Sequence, residues 1–87
     1  MRYIYSRTKL INVESIASIE KVMNYINLTL NSGRKFDVYT SANDDNVGEV
    51  FREFIKEIRC ENSNIDIDEF EMYMKLYYGV ESGTWLL

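Results

Sequence analysis

Between Asp44 and Arg59, the residues Val47, Val50, Phe51, Phe54, Ile55 and Ile58 recur at spacings of three and four. That period sets all six on one side of an α-helix, because successive residues advance about 100° around the axis. Arg52, Lys56 and Arg59 fall into one polar row, and Glu49, Glu53 and Glu57 into another. Just upstream, Ser41 to Asp45 supply side-chain oxygens for the free N–H groups of the first turn, and the carboxylates of Asp44 and Asp45 oppose the positive end of the helix. A helix with so continuous an apolar arc needs a sheet or other helices over it. The rest of the chain must supply that cover.

The clearest cover is a hairpin. Ile26, Leu28 and Leu30 alternate with Asn27, Thr29 and Asn31, and after Asn31 to Arg34 the residues Phe36, Val38 and Thr40 alternate with Lys35, Asp37 and Tyr39. Period-two alternation is the mark of a half-buried strand, and Gly33 supplies the positive φ that a short turn requires. Ile26, Leu28, Leu30, Phe36 and Val38 then face the helix. Residues 2–6 predict a first strand, with Arg7 to Lys9 ending it. Within Leu10 to Val22 two periods compete: Val13, Ile16, Ile19 and Val22 lie three apart, as in a helix, while Ala17, Ile19 and Lys21 alternate with their neighbours, as in a strand. The β-branched residues favour a turn near Asn12 to Ser15 followed by a strand from Ile16 to Val22.

After Arg59, Glu61 to Asn64 read as a loop. A second helix begins near Asp66 or Asp68 and runs to Tyr78, with Ile67, Phe70, Tyr73, Met74 and Tyr77 on its core side. Gly79 stops it, and Val80 packs back on the last turn. The apolar tail, residues 82–87, docks as a last short strand or against the second helix. The fold expected is a single α+β domain over residues 1–87, a three- or four-stranded antiparallel sheet with two helices packed on one face.

The residue inventory argues against catalysis. With 87 residues and no histidine, the chain lacks the usual acid–base group at neutral pH and cannot assemble a Ser–His or Cys–His nucleophile. The lone Cys60 beside Arg59 reads as an inert thiol in a reducing compartment. A carboxylate pair for glycoside chemistry would need a cleft that so small a domain leaves little room for. Ile65 to Phe70 resembles the closing half of a calcium loop, but with Glu69 as the twelfth residue the first, third, fifth and sixth positions fall on Ile58, Cys60, Asn62 and Ser63. The required acids and glycine are missing. Asn31 to Arg34 has one glycine and no Lys-Ser or Lys-Thr after it, so it is not a phosphate loop. No enzyme activity, cofactor or metal is expected. With no apolar run of membrane-spanning length and no signal-peptide pattern, the protein is expected to be cytoplasmic.

Charge is unevenly distributed. Residues 1–40 carry six basic and three acidic residues, net +3; residues 41–87 carry eleven acidic and four basic residues, net −7. On the second helix Met72 and Leu76 lie four apart, opposite the core side, among Asp68, Glu69 and Glu71. They either cover Trp85 and Leu86 or form an apolar ridge in an acidic setting. With Glu49, Glu53 and Glu57 of the first helix, these residues form the candidate contact for a basic protein. An alternative contact is a basic aromatic surface for nucleic acid, built from Arg34, Lys35 and Tyr39 with Arg2, Tyr3, Tyr5, Arg7 and Lys9. Ile11 to Val22 with the following hairpin is similar to the β-rich DNA-binding domain of LytTR response regulators. The −7 of the C-terminal half opposes this reading, because it repels phosphate, and direct nucleic-acid binding is not expected.

The whole layout, a sheet with a glycine-turned hairpin, an acidic helix (Asp44 to Ile58), a polar loop and a second acidic aromatic helix (Asp66 to Tyr78), resembles the small acidic anti-CRISPR proteins of phages. That resemblance implies an inhibitor that docks on a basic nucleic-acid-processing enzyme such as Cas9 and presents carboxylates in place of phosphates.

Overall fold

The computed structural model describes residues 1–60 and 63–87. The helix that organises the chain, α1, spans Asp44–Arg59, the full stretch its apolar period marks out. Asn43 caps it, its side chain accepting from the N–H groups of Asp45 (3.0 Å) and Asn46 (3.4 Å). Val47, Val50 and Phe54 are fully buried, and Phe51, Ile55 and Ile58 are half-buried at the edges of the same arc.

Four strands form the larger sheet: β3 (Ile16–Val22), β4 (Tyr25–Leu30), β5 (Lys35–Thr40) and β7 (Thr84–Trp85), in the order β3-β4-β5-β7 and antiparallel throughout. A 3₁₀ turn at Val13–Ser15 precedes β3, so the turn-then-strand reading of this ambiguous segment holds. The competing three-residue spacing has a physical source. Ile16 pairs with Leu30 and Ser18 with Thr29, which leaves Ala17 as an extra residue in β3. This bulge returns Ile19, opposite Leu28, to the face of Ile16, three residues away. α1 lies across β3 and β4.

A second bulge overturns the expected placement of Tyr39. Ile26 pairs with Tyr39 and Asn27 with Asp37, so Val38 is the extra residue in β5. Both Val38 and Tyr39 then point inward, each 0% exposed. Tyr39 does not belong to an outer polar face.

Beside this lies a smaller sheet in the order β2-β1-β6, made of β1 (Tyr3–Tyr5), β2 (Leu10–Asn12) and β6 (Ile65–Asp66). The β1–β2 pair is antiparallel and the β1–β6 pair parallel. Ile4 is opposite Ile11 on one side and Ile65 on the other, and all three are buried, which makes one apolar row across the sheet. The expected architecture, α+β with two helices, is therefore present, with two sheets in place of one. The loop expected at Glu61 to Asn64 lies partly outside the described residues.

The second helix, α2, spans Ile67–Tyr78. Asp66 caps it, accepting from the N–H groups of Asp68 (2.9 Å) and Glu69 (3.5 Å). At its end Gly79 takes φ 65°, and the N–H groups of Gly79 and Val80 both turn back to the Met74 carbonyl. Val80 is buried, as expected of a residue folded onto the last turn. The tail docks both ways: β7 pairs with β5, and Trp85 meets the edge of Phe70 at 5.5 Å and lies 4.8 Å from Tyr39. Tyr39 also donates to the Ser82 carbonyl at 2.7 Å, and its hydroxyl fills the space that a side chain at Gly83 (φ 118°) would occupy. Among the described residues, no helix is long and apolar enough to cross a membrane.

Phe54 joins the two helices, its ring 5.7 Å from that of Phe70. Phe54→Ala is expected to cost about 3 to 5 kcal/mol in chemical denaturation. A loss under about 1 kcal/mol would mean that α1 does not face the core as described.

Candidate partner-binding surface

Burial of Ile67, Phe70 and Met74 fixes the rotation of α2, and at 100° per residue it sends Asp68, Glu69, Met72 and Leu76 outward. Met72 is 59% and Leu76 72% exposed. At this exposure they do not cover the tail, and Trp85 packs on Tyr39 and Phe70. Of the two readings of these residues, the exposed ridge is the one present. Tyr73 and Tyr77 correct the sequence reading. Expected on the core side, both are exposed, Tyr77 at 73%. Their rings lie 5.0 Å apart, and Tyr73 also lies 6.4 Å from Phe70, so an aromatic row runs from the core out along the helix.

The acids separate into paired and unpaired groups. Arg52 pairs with Glu49 one turn before it, and Lys75 with Glu71 at 2.9 Å. Arg7 reaches Asp68 at 3.5 Å. Glu53 departs from the expected exposed row: its side chain is only 6% exposed and meets Lys56 Nζ at 3.0 Å. Burial raises its pKa, but hydrogen bonds from Lys56 and from the Tyr78 hydroxyl outweigh that and hold Glu53 below the ordinary carboxylate value. The same network pushes Tyr78 above the ordinary tyrosine range, hydrogen bonding to Tyr73 first and then to Glu53. Glu53 is therefore buried against Lys56 of its own helix and drops out of the contact surface. Among the described residues, Glu57 and Glu69 form no ion pair.

These two acids come together, although 12 positions separate them in the chain. They line a cleft of about 190 Å³ between the end of α1 and the start of α2, with Asp66, Ile65, Phe70 and Tyr73 in its walls. Pairing of β1 with β6 brings the two helix ends to this point, and Arg2 secures it. The Arg2 guanidinium donates to the carbonyls of Glu57 (2.9 Å), Ile58 (2.8 Å) and Ser63 (2.9 Å).

The basic aromatic surface is not assembled as the alternative requires. Tyr39 is buried, Arg2 is spent on carbonyls and Arg7 faces Asp68. Lys9 and Arg34 instead flank one ring, Phe36, at 5.9 and 5.0 Å. One exposed feature has no counterpart in the sequence reading: the two-residue turn between β3 and β4, where Met23 is 82% exposed at φ 55° beside exposed Val22 and Tyr25. The facing pair Val22 and Tyr25 around Met23-Asn24 was the available signal. Among the described residues, no group of three or more His, Cys, Asp or Glu is placed to hold a metal ion.

Compared with protein-family models, curated proteins and solved structures, the chain has no match.

Because the Glu53 pKa is lowered on folding, its contribution to stability is present above the unfolded value of about 4.3 and is lost as pH falls through the lower folded value. Glu53→Gln should therefore be less stable than the native chain at pH 7, with the gap narrowing toward pH 3, as measured by urea denaturation at both. An equal gap at the two pH values would contradict the pairing.

Proposed function

We propose that this protein is a non-catalytic binding module that docks the outer side of α2 on a basic surface of another protein. The observation that carries this reading is an exposed apolar ridge, Met72 and Leu76, beside carboxylates that pair with no cation among the described residues, Glu57 and Glu69. An apolar centre with a charged rim suits a protein interface, the centre slowing dissociation and the rim guiding approach. The free thiol of Cys60 is compatible with a reducing compartment such as the cytoplasm.

Within this reading the module is an inhibitor or adaptor, and the resemblance to anti-CRISPR proteins nominates Cas9 as the first partner to test. Carboxylates on such a surface would occupy cationic sites that otherwise take phosphates, which accounts for a net charge of −4 on a small domain. Direct binding to nucleic acid is disfavoured by the burial of Tyr39 and by the commitment of the Arg2 guanidinium to main-chain carbonyls.

Binding kinetics test the proposal. Glu69→Lys with Glu71→Lys should slow association with the basic partner by about tenfold at low salt. Met72→Ala with Leu76→Ala should chiefly speed dissociation, and Arg34→Ala with Lys35→Ala should change little. Loss of binding in the hairpin variants, with both rates unchanged in the helix variants, would overturn the proposal and make the sheet the working surface. Retention on a DNA column that weakens steeply with salt would favour the nucleic-acid reading instead.

A further inference from the structure

The outer side of α2 has two parts of different chemistry. Met72 and Leu76 give an uncharged ridge, and next to it lies the cleft walled by the Tyr73 and Phe70 rings and by Glu57, Asp66 and Glu69. Most other helix acids pair with cations of the chain, so the uncompensated charge of this side gathers at the cleft. Asp66 is held in place by accepting from the first N–H groups of α2 through Oδ1, and Glu57 and Glu69 are the carboxylates placed to meet a ligand.

We propose that the ridge and cleft together receive a partner segment in which an arginine stands next to an apolar side chain, with the guanidinium in the cleft and the apolar group on Met72 and Leu76. The inference rests on the binding reading above and specifies what the partner presents. Arginine fits better than lysine for two reasons. Its planar fork can give N–H groups to two carboxylates at once, and its face stacks on an aromatic ring such as Tyr73. The nearby Arg2 does not fill this role, since Nε, Nη1 and Nη2 all donate to main-chain carbonyls.

Other occupants fit less well. A second copy of the chain would set carboxylates against carboxylates if α2 met α2, and many of its own cations are held in ion pairs or on carbonyls. A nucleic acid would bring phosphate to an acidic cleft.

The test is an amide NMR titration of the full chain with three acetylated dipeptide amides, Arg-Leu, Lys-Leu and citrulline-Leu. Citrulline keeps the shape of arginine without the charge. The Arg-Leu peptide should shift the amides of Glu57, Ile65 to Phe70 and Tyr73, the Lys-Leu peptide should shift them less at equal concentration, and the citrulline peptide should leave them unmoved. Glu57→Gln with Glu69→Gln should abolish the shifts while its melting curve stays that of a folded protein. Equal shifts from arginine and citrulline, or Arg-Leu shifts spread evenly over Asp44, Asp45 and Glu81, would overturn the inference. Failure here is distinguishable from failure of the broader reading. If the Glu57→Gln, Glu69→Gln variant binds an established partner as the native chain does while Met72→Ala with Leu76→Ala weakens it, the arginine inference falls and docking through α2 stands. If Arg-Leu occupies the cleft but no α2 variant alters partner binding, the cleft stands and the proposed function falls.

Discussion

The Arg2 guanidinium, closed on the end of α1, is the interaction that the rest of the acidic side depends on. The last carbonyls of a helix have no partners within it, and they carry the negative end of its dipole. Arg2 answers both needs, donating to Glu57 and Ile58 in the last turn and to Ser63 beyond it. The same strand then sets where α2 begins. The N–H of Tyr3 donates to the Asn64 side chain at 2.9 Å, Ile4 pairs with Ile65, and α2 starts from its cap at Asp66. With the β1–β6 pairing and the Phe54–Phe70 contact, this clamp sets the end of α1 against the start of α2, where Glu57 and Glu69 line one cleft.

The core follows the same economy, with a few large side chains serving several elements each. Phe70 touches Phe54 of α1, Trp85 of β7 and Tyr73 on its own helix. Tyr39 holds the tail through a hydrogen bond, a ring contact and the space at Gly83. A domain of this size has little apolar surface to bury, so shared aromatic contacts of this kind contribute a large part of its stability. They also hold Trp85 of the tail against Tyr39 and Phe70, while Met72 and Leu76 stay exposed.

Features set by local period were legible in the sequence: α1 to both of its ends, the β4–β5 hairpin, the turn before β3, and α2 with its glycine stop. Features set by tertiary pairing were not. The bulges at Ala17 and Val38 each insert one residue without any compositional mark, and the second reversed the side on which Tyr39 lies. β2 and β6 are three and two residues long, too short for periodicity, and exist because Ile11 and Ile65 flank Ile4. On α2, Tyr73 and Tyr77 looked like core residues because they are aromatic, whereas Ile67, Phe70 and Met74 already fill the inward side. The candidate surface was half legible. Met72, Leu76 and Glu69 were placed correctly on the exposed side, but the burial of Glu53 and the meeting of Glu57 with Glu69 depend on how the helices are brought together.

The acidic, ridged side of α2 is the proposed working surface. Amide hydrogen exchange of the protein, free and mixed with the proposed basic partner, tests this most directly. The account predicts that binding slows exchange from Asn64 through Tyr78 and leaves the β3–β4 turn unchanged. Slowed exchange confined to the β3–β4 turn or the β4–β5 hairpin, with α2 as open in the complex as in the free protein, would contradict it.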